Sequence, residues 1–240
     1  MSSNSNHHEL KSILELLDLG PGNYFLDAQS IADDLLFHVA ERVAPYGAAI
    51  GMVYGERALG NIQKRLRGKK QEAKRIEIKL GHTSNLPFNQ EQFSVVLYRN
   101  TRHVHNFQRV MQEAWRVSER NARIVVCHSY WEYELPANAP AEVKKALQDI
   151  QSPQFKNGVD FMEQFQSLPW RSVDFDVYTL VSNQDEHKLR YNGAWRTYLR
   201  EILGGEKYYC PEDIQKIINY IEQNKVPMRA DRYLGIGKSP

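Results

Sequence analysis

The sequence predicts a Rossmann-like α/β fold: a doubly wound, seven-stranded, mostly parallel sheet with a helical cap inserted before the last strand. Two observations lead to this prediction. Short apolar runs alternate with segments of helical period from Leu10 to His128, which is typical of a parallel sheet with helices on both faces. A further stretch of helical period, about 183–230, separates the last two apolar runs and is too long to be a turn.

The first half of the chain contains five of the predicted strands. Residues 1–8 are polar and are expected to be disordered. A helix is predicted over 9–19, where leucines and isoleucine recur at spacings of three and four. Apolar runs then predict strands at 24–28, 48–54, 75–80, 93–98 and 123–128, with helices at 31–44, 56–69 and 105–118 between them.

The second half adds two strands and four helices. Helices are predicted at 140–151 and 158–167, a strand at 173–181, helices at 192–203 and 211–224, and a final strand at 233–237. The two helices between these strands form the cap, so that residues 9–240 make one domain. The apolar residues of the cap either pack onto the sheet or form a partner surface; they include Tyr191, Trp195, Tyr198, Leu199, Ile202, Ile214, Ile217, Ile218 and Ile221.

Composition and charge exclude several classes of protein. The chain has 31 Lys and Arg against 29 Asp and Glu, too balanced for a dedicated nucleic-acid binder. The basic stretch over 64–75 is therefore interpreted as a solvated helix end. No apolar run approaches the roughly 18 residues of a membrane helix, and the polar N-terminus is unlike a secretory signal. With only Cys127 and Cys210, we expect a reducing, cytoplasmic location.

Two sequence blocks resemble a known family. LGPGNYFLDA, ending in the first predicted strand, and the block GHTSNLPFNQEQFSVVLYRNTRHVHNFQRVMQEAWRVSERNARIVV, which includes the fourth and fifth strands, resemble class I S-adenosylmethionine-dependent methyltransferases of the small-molecule branch. Within the second block, the matching positions include 86–88, Phe93 and 113–117. The resemblance implies the Rossmann-like fold, and a methyl-acceptor pocket shaped by the N-terminal helix and the cap.

The positions that would hold the cofactor depart from the family pattern. In the family, an acid at the end of the first strand begins an Asp/Glu-x-Gly-x-Gly-x-Gly loop, whose glycines let the backbone approach the ligand. Here the acid is Asp27, but Gln29, Ile31 and Asp33 stand in place of the glycines. A β-branched residue such as Ile31 is rarely found at positive φ, so the loop must take another shape.

The nucleoside side departs in the same way. The acid that binds the ribose in the family falls at Val53, which is followed by Tyr54, and the adenine-side acid falls at His82. The family's Pro-Gly-Gly turn before the fifth strand is replaced by residues 119–122. The resemblance thus assigns the cofactor-binding positions to Asp27, Gln29, Ile31, Val53, Tyr54 and His82.

Candidate catalytic residues follow the fourth and fifth strands, because ligands of open α/β sheets bind beyond the carboxyl ends of the strands. We expect His103, His105, His128 and Tyr130 to exchange protons or line the pocket. Simpler interpretations remain open: solvated loop histidines, or packing beneath the cap for Tyr130. Asp27 could also cap the next helix. A metal is not expected, since the two loop histidines lack an acidic partner in the pattern.

The spread of these losses favours a methyltransferase-fold protein that has lost the usual cofactor binding, with no cofactor expected. One version is a non-catalytic subunit that forms a hetero-oligomer with an active relative; the other is a cofactor-independent small-molecule enzyme of cyclase or isomerase type. A homodimer is the alternative to the hetero-oligomer. A small-molecule ligand is expected, and contact with nucleic acid or membrane is not. The alternative is a divergent but active methyltransferase that uses S-adenosylmethionine on a small molecule.

Overall fold

The seven strands form one sheet in the order β3-β2-β1-β4-β5-β7-β6. The computed structural model describes residues 13–30, 34–67, 72–99, 104, 106–151, 154–182, 199, 203, 209–226 and 228–240. Strands β1 to β5 are parallel, and β7 is antiparallel to both β5 and β6. This arrangement confirms the predicted fold class. The strands are β1 (Tyr24–Asp27), β2 (Ala48–Val53), β3 (Ile76–Leu80), β4 (Phe93–Tyr98), β5 (Ser118–Tyr133), β6 (Ser172–Ser182) and β7 (Met228–Lys238).

In the described part of the chain, six helices of nine or more residues accompany the sheet, and their ends lie within a few residues of the predicted ones. They are α1 (Leu35–Val43), α2 (Gly55–Arg67), α3 (Phe107–Val117), α4 (Ala141–Asp149), α5 (Gly158–Gln166) and α6 (Pro211–Gln223). A 3-10 turn at Glu72–Arg75 precedes β3. Residues 1–12, which include the start of the first predicted helix, and all but Leu199 and Leu203 of the helix predicted at 192–203 lie outside the described residues.

Both faces of the parallel strands are covered. One cluster packs α3 and α5 against residues such as Met52 and Val96, and another packs α1 and the turn at 13–16 against residues such as Phe25 and Leu97. Because burial on both faces removes the alternation of polar and apolar residues, these strands appear in the sequence as continuous apolar runs.

Strand β5 is much longer than the predicted strand at 123–128. It pairs with β7 from Arg123↔Lys238 to Tyr133↔Met228, so a hydrogen-bonded partner is present along most of its length. Residues 119–122, which stand where the family has its Pro-Gly-Gly turn, are part of this strand. The β4 pairing shifts there from Phe93↔Ser118 to Val95↔Arg123. Because of its pairing with β5, β7 begins at Met228, five residues before the predicted strand and within the range predicted for the cap.

The described part of the cap shares a hydrophobic cluster with α4 and with Trp131 of β5. Helices α4 and α6 pack together with Trp131, Leu199 and Leu203. The apolar stripe of α6 is buried in this cluster through Ile214, Ile217, Ile218 and Ile221. Tyr209 donates a hydrogen bond to Asp149 Oδ2 at 2.8 Å and ties the start of α6 to the end of α4. This stripe therefore packs internally rather than facing a partner.

A buried carboxylate joins the two motifs of the second resemblance block. Glu113 on α3 accepts hydrogen bonds from the Leu86 backbone N–H at 2.8 Å and from Arg116 Nε at 3.0 Å. Arg116 also donates to the carbonyl oxygens of Leu86 and Phe88. The guanidinium lowers the pKa of Glu113, which keeps the carboxylate charged. These contacts fix the loop before β4 against α3.

We expect the two arginines near Glu113 to differ in their effect on stability. Arg116→Ala removes several charge-assisted hydrogen bonds and leaves a buried carboxylate without its main partner, so it should lower the free energy of unfolding by about 2–3 kcal/mol. Arg109 lies 3.8 Å from the same carboxylate and is half exposed, so Arg109→Ala should cost less than about 1 kcal/mol. Urea unfolding followed by circular dichroism measures both; equal losses would contradict this account.

Candidate functional site at the β1–β4 crevice

The strand order reverses between β1 and β4, and opposite charges meet at this point. Asp27 ends β1 and pairs with Leu97 of β4 in register, so that Arg99, two residues later, lies at the same edge of the sheet. Arg99 Nη2 lies 2.7 Å from Asp27 Oδ2, with the two side chains 8% and 0% exposed. Such a reversal opens the crevice where ligands of α/β sheets bind. Sequence analysis named Asp27 but missed Arg99 as its partner.

The chain after β1 continues between its neighbours instead of turning away. The Ala28 N–H donates to Leu97 O at 2.9 Å, and the Ser30 N–H donates to Met52 O at 2.7 Å. The side chains of Gln29 and Ser30 are both buried. The buried Gln29 side chain therefore lies where the family has a glycine, and Ser30 is buried beside it. Ile31 lies outside the described residues.

Glycine at position 51 of β2 makes room for this path. A Cβ there would lie 2.8 Å from Ser30 Oγ, which is too close for any side chain other than hydrogen. The Gln29 N–H also donates to Asp27 Oδ1 at 3.3 Å. The backbone thus holds the Asp27 carboxylate from one side while Arg99 holds it from the other.

Aromatic and hydroxyl groups form the β2 side of the crevice edge. Val53, at the ribose-acid position, is buried, whereas Tyr54 is 39% exposed. The Tyr54 hydroxyl lies 2.9 Å from Thr83 Oγ1, and its ring meets the His82 ring edge-on with centroids 5.1 Å apart. The structure thus brings Tyr54 and His82 together, and their part in cofactor binding remains a prediction.

His128 packs among aromatic rings beneath α5. Its ring stacks on Phe161 at 5.1 Å between centroids and meets Phe155 edge-on at 5.1 Å. Burial, helped by the positive charge of Arg232, lowers the pKa of His128 to about 4, while Asp160 acts in the opposite direction. The imidazole is neutral at pH 7, so in this position it is a packing group, and proton exchange by it remains a prediction.

The other catalytic candidates are placed less tightly. Tyr130 is half-buried on β5, next to the buried Trp131 of the cap cluster. His103 and His105 lie outside the described residues, so their roles remain predictions. Within the described ranges, no three His, Cys, Asp or Glu side chains gather as a metal site requires. None of the described helices has the length and apolarity needed to cross a membrane.

The same architecture is shared with a family of known proteins. A model of the methyltransferase domain matches residues 11–201, which include the crevice and strands β1 to β6. The chain belongs to the methyltransferase domain family. Demethylmenaquinone methyltransferase of Lactobacillus johnsonii is 27% identical over 115 residues, covering 48% of this chain and 47% of that protein. This methyltransferase-family chain thus aligns with about half the length of the curated relative.

Solved structures share the fold at low sequence identity. The YcgJ protein of Bacillus subtilis is 15% identical with a TM-score of 0.60, covering 98% of this chain and 100% of that one. Phosphoethanolamine N-methyltransferase 2 of Haemonchus contortus, in complex with S-adenosyl-L-methionine, is 12% identical with a TM-score of 0.65, covering 97% and 53%. The cyclase SpnF is 12% identical with a TM-score of 0.63, covering 97% and 81%. These likenesses establish the fold alone.

The buried His128 predicts a loss of stability in mild acid. The unfolded chain binds a proton near pH 6.5, whereas the folded protein resists it until about pH 4; stability therefore falls as the pH drops below 6.5. Between pH 7.5 and pH 5 we expect the free energy of unfolding to fall by about 2 kcal/mol from this group. His128→Phe, which keeps a ring among the aromatic side chains, should remove that part of the dependence in urea unfolding curves at the two pH values. An unchanged dependence would contradict the assignment.

Proposed function

We propose that the chain is a divergent S-adenosylmethionine-dependent methyltransferase acting on a small, partly apolar molecule. The observation that carries this proposal is the family match, which runs through the whole crevice region within residues 11–201. The curated relative is named for methyl transfer to demethylmenaquinone, which supports a small-molecule acceptor for this chain as well.

The residues of the crevice fit the cofactor in part. The cofactor has an amino-acid end that carries a carboxylate and an ammonium group, and Asp27 and Arg99 supply one charge of each sign. The nucleoside end would lie along Tyr54. Val53 supplies no acid for the ribose hydroxyls, but Glu56 follows three residues later, exposed in the first turn of α2. We assign the ribose contact to Glu56.

The contribution of this chain is mainly positioning and exclusion of water. When bound, the cofactor supplies an electrophilic methyl group. Methyl transfer requires chiefly that the acceptor be held in line with that group. Trp131 and the hydrophobic cluster of α4 and α6 cover the outer end of β5. An acceptor bound beside this cluster would need an apolar part to match it.

A second candidate function is supported by the filled end of the crevice. Gln29 is buried where the family has a glycine, and Asp27 is already paired with Arg99. These observations favour a methyltransferase-fold protein that does not transfer methyl groups: either a non-catalytic subunit paired with an active relative, or a cofactor-independent enzyme. The fold allows the latter, since the neighbour SpnF is a cyclase. Either form is proposed to work in the cytoplasm.

Calorimetric titration of the full chain with S-adenosylmethionine and S-adenosylhomocysteine separates the two candidates. If the chain is a methyltransferase, both ligands should bind with dissociation constants in the micromolar range, which corresponds to a binding free energy of about −8 kcal/mol. No binding up to about 1 mM ligand would overturn it and favour the second. In that case, the chain would be used in a pull-down from its native host. Recovery of a relative that has the glycine loop would support the subunit form.

Glu56→Gln tests the proposed ribose contact. A hydrogen bond to a charged group contributes about 1.5–3 kcal/mol, so the variant should bind S-adenosylhomocysteine about 10- to 100-fold more weakly. Glu77→Gln is the matched control, because Glu77 is an exposed acid on the edge strand β3 and should leave the affinity unchanged. Equal affinity of the Glu56 variant and the wild type would place the ribose elsewhere.

A further inference from the structure

We propose that the sheet edge opposite the crevice is a docking surface for an acidic segment of a partner protein. This surface, the basic edge, consists of Tyr24, Tyr46, Lys64, Arg67, Lys74 and Arg75. Its occupant is a short peptide segment that carries carboxylates and at least one apolar side chain. The proposal goes beyond the proposed function, because it concerns the amino ends of the strands and does not depend on cofactor binding.

Positive charge is concentrated in one segment of an otherwise slightly acidic chain. Residues 64–75 contain seven Lys and Arg and one Glu. The whole chain has 31 Lys and Arg against 29 Asp and Glu, so the residues outside this segment have 24 against 28. The nearly neutral total therefore hides a local positive field that attracts acidic groups.

The sheet places exposed aromatic rings beside these charges. The first residues of β1, β2 and β3 lie in one row, because the ladders pair Tyr24 with Ala48 and residue 49 with residue 76. Arg75 comes directly before β3, and its Nη1 donates a hydrogen bond to the Pro45 carbonyl oxygen. This contact holds the guanidinium next to Tyr46, which is 79% exposed, while Tyr24 is 42% exposed.

Helix α2 brings two further cations to the same edge. It follows the carboxyl end of β2 and leads back to the amino end of the parallel strand β3, as the crossover between parallel strands must. Its last turns therefore lie at the end of the sheet opposite the crevice. Lys64 and Arg67 are both exposed there, and their spacing of three residues places them on one face of the helix.

The cations of the basic edge are available to a partner. Lys64, Arg67 and Lys74 are exposed and take part in no ion pair within the described part of the chain. Glu77, the acid on β3, lies 3.3 Å from Lys79 and is already paired. Carboxylates of a partner would therefore meet the three cations without breaking ion pairs of the chain itself.

The composition of the surface favours a protein partner over a nucleic acid or a membrane. Tyrosine and arginine are enriched at protein interfaces, and clusters of arginine recognise acidic motifs. A long polyanion would also face the rest of the chain, where acids outnumber bases and repel it. A short acidic segment needs only a few cations, and its apolar side chain can pack on Tyr46.

Fluorescence anisotropy with a fluorescein-labelled peptide of Glu-Glu-Leu repeats tests the proposal on the full chain. At low salt we expect a dissociation constant below about 100 μM. Because the attraction is electrostatic, about 0.3 M NaCl should weaken binding at least about 5-fold. A second peptide, with Gln in place of every Glu, keeps the length and the leucines and should bind at least about 10-fold more weakly.

Substitutions locate the binding at the basic edge. The triple variant Lys64→Gln, Arg67→Gln and Lys74→Gln should weaken binding of the Glu peptide at least about 10-fold, because three exposed ion pairs are lost together. Tyr46→Ala should weaken it at least about 3-fold, through loss of the apolar contact.

A matched control makes the same change in net charge elsewhere on the surface. It combines Lys144→Gln on α4, Lys216→Gln on α6 and Lys225→Gln just after α6, all at exposed positions. The control should bind the Glu peptide within about 2-fold of the wild type, because exposed charges more than about 10 Å away are largely screened.

Each outcome decides for or against the docking surface. No binding of the Glu peptide up to about 1 mM would overturn the proposal, as would equal binding of the two peptides or equal losses in the two triple variants. The comparison of the peptides on the wild type decides even if a variant does not fold.

Two further probes distinguish other polyanions and the crevice. Tighter binding of a labelled thymidine oligonucleotide or of phosphatidylglycerol vesicles, lost in the basic-edge variant, would assign the surface to a nucleic acid or a membrane and overturn the protein partner. The basic-edge variant should equal the wild type in the S-adenosylhomocysteine titration. Failure of this inference therefore leaves the proposed function untouched.

Discussion

Parallel strands end at the same edge of a sheet, and this constraint determines the chemistry of the crevice. It brings Asp27 from β1 and Arg99 from β4 together although 72 positions separate them in the chain. The path of residues 28–30 between β2 and β4 depends on the same edge, because their backbone groups bond to Leu97 and Met52. The family relationship and the altered loop are therefore compatible: the fold keeps the crevice, and different side chains now line it.

The long antiparallel pair β5–β7 is the second organising feature. Val126 is the last residue of β5 that pairs with β4, and the strand extends seven residues beyond it. This extension places Trp131 in the cluster of α4 and α6, and His128 in the aromatic cluster under α5. One strand thereby connects the sheet core with the separate hydrophobic core of α4 and α6. Its two faces serve different clusters, which explains why His128 and Trp131, three residues apart, have different surroundings.

Much of the fold was predictable, because central strands such as β2 are continuous apolar runs and helices such as α3 show a regular apolar stripe. The ends of β5 were not, since its length comes from pairing with β7, more than 90 residues later. The placement of His128 was also not predictable: a histidine after a strand suggests a crevice residue, but α5 covers that face with Phe161. The pairing of Arg99 with Asp27 could have been predicted, because the two residues lie at the ends of neighbouring parallel strands.

The sequence by itself determined the strand and helix order, the family resemblance and the absence of the glycine loop, since these depend on local pattern and residue identity. Only the tertiary structure decided which charges meet, that Glu113 and Arg116 hold the loop at 86–88, and that the isoleucines of α6 are buried. The physical reason is that these properties arise from contacts between distant segments, and local periodicity carries no information about which segments will touch.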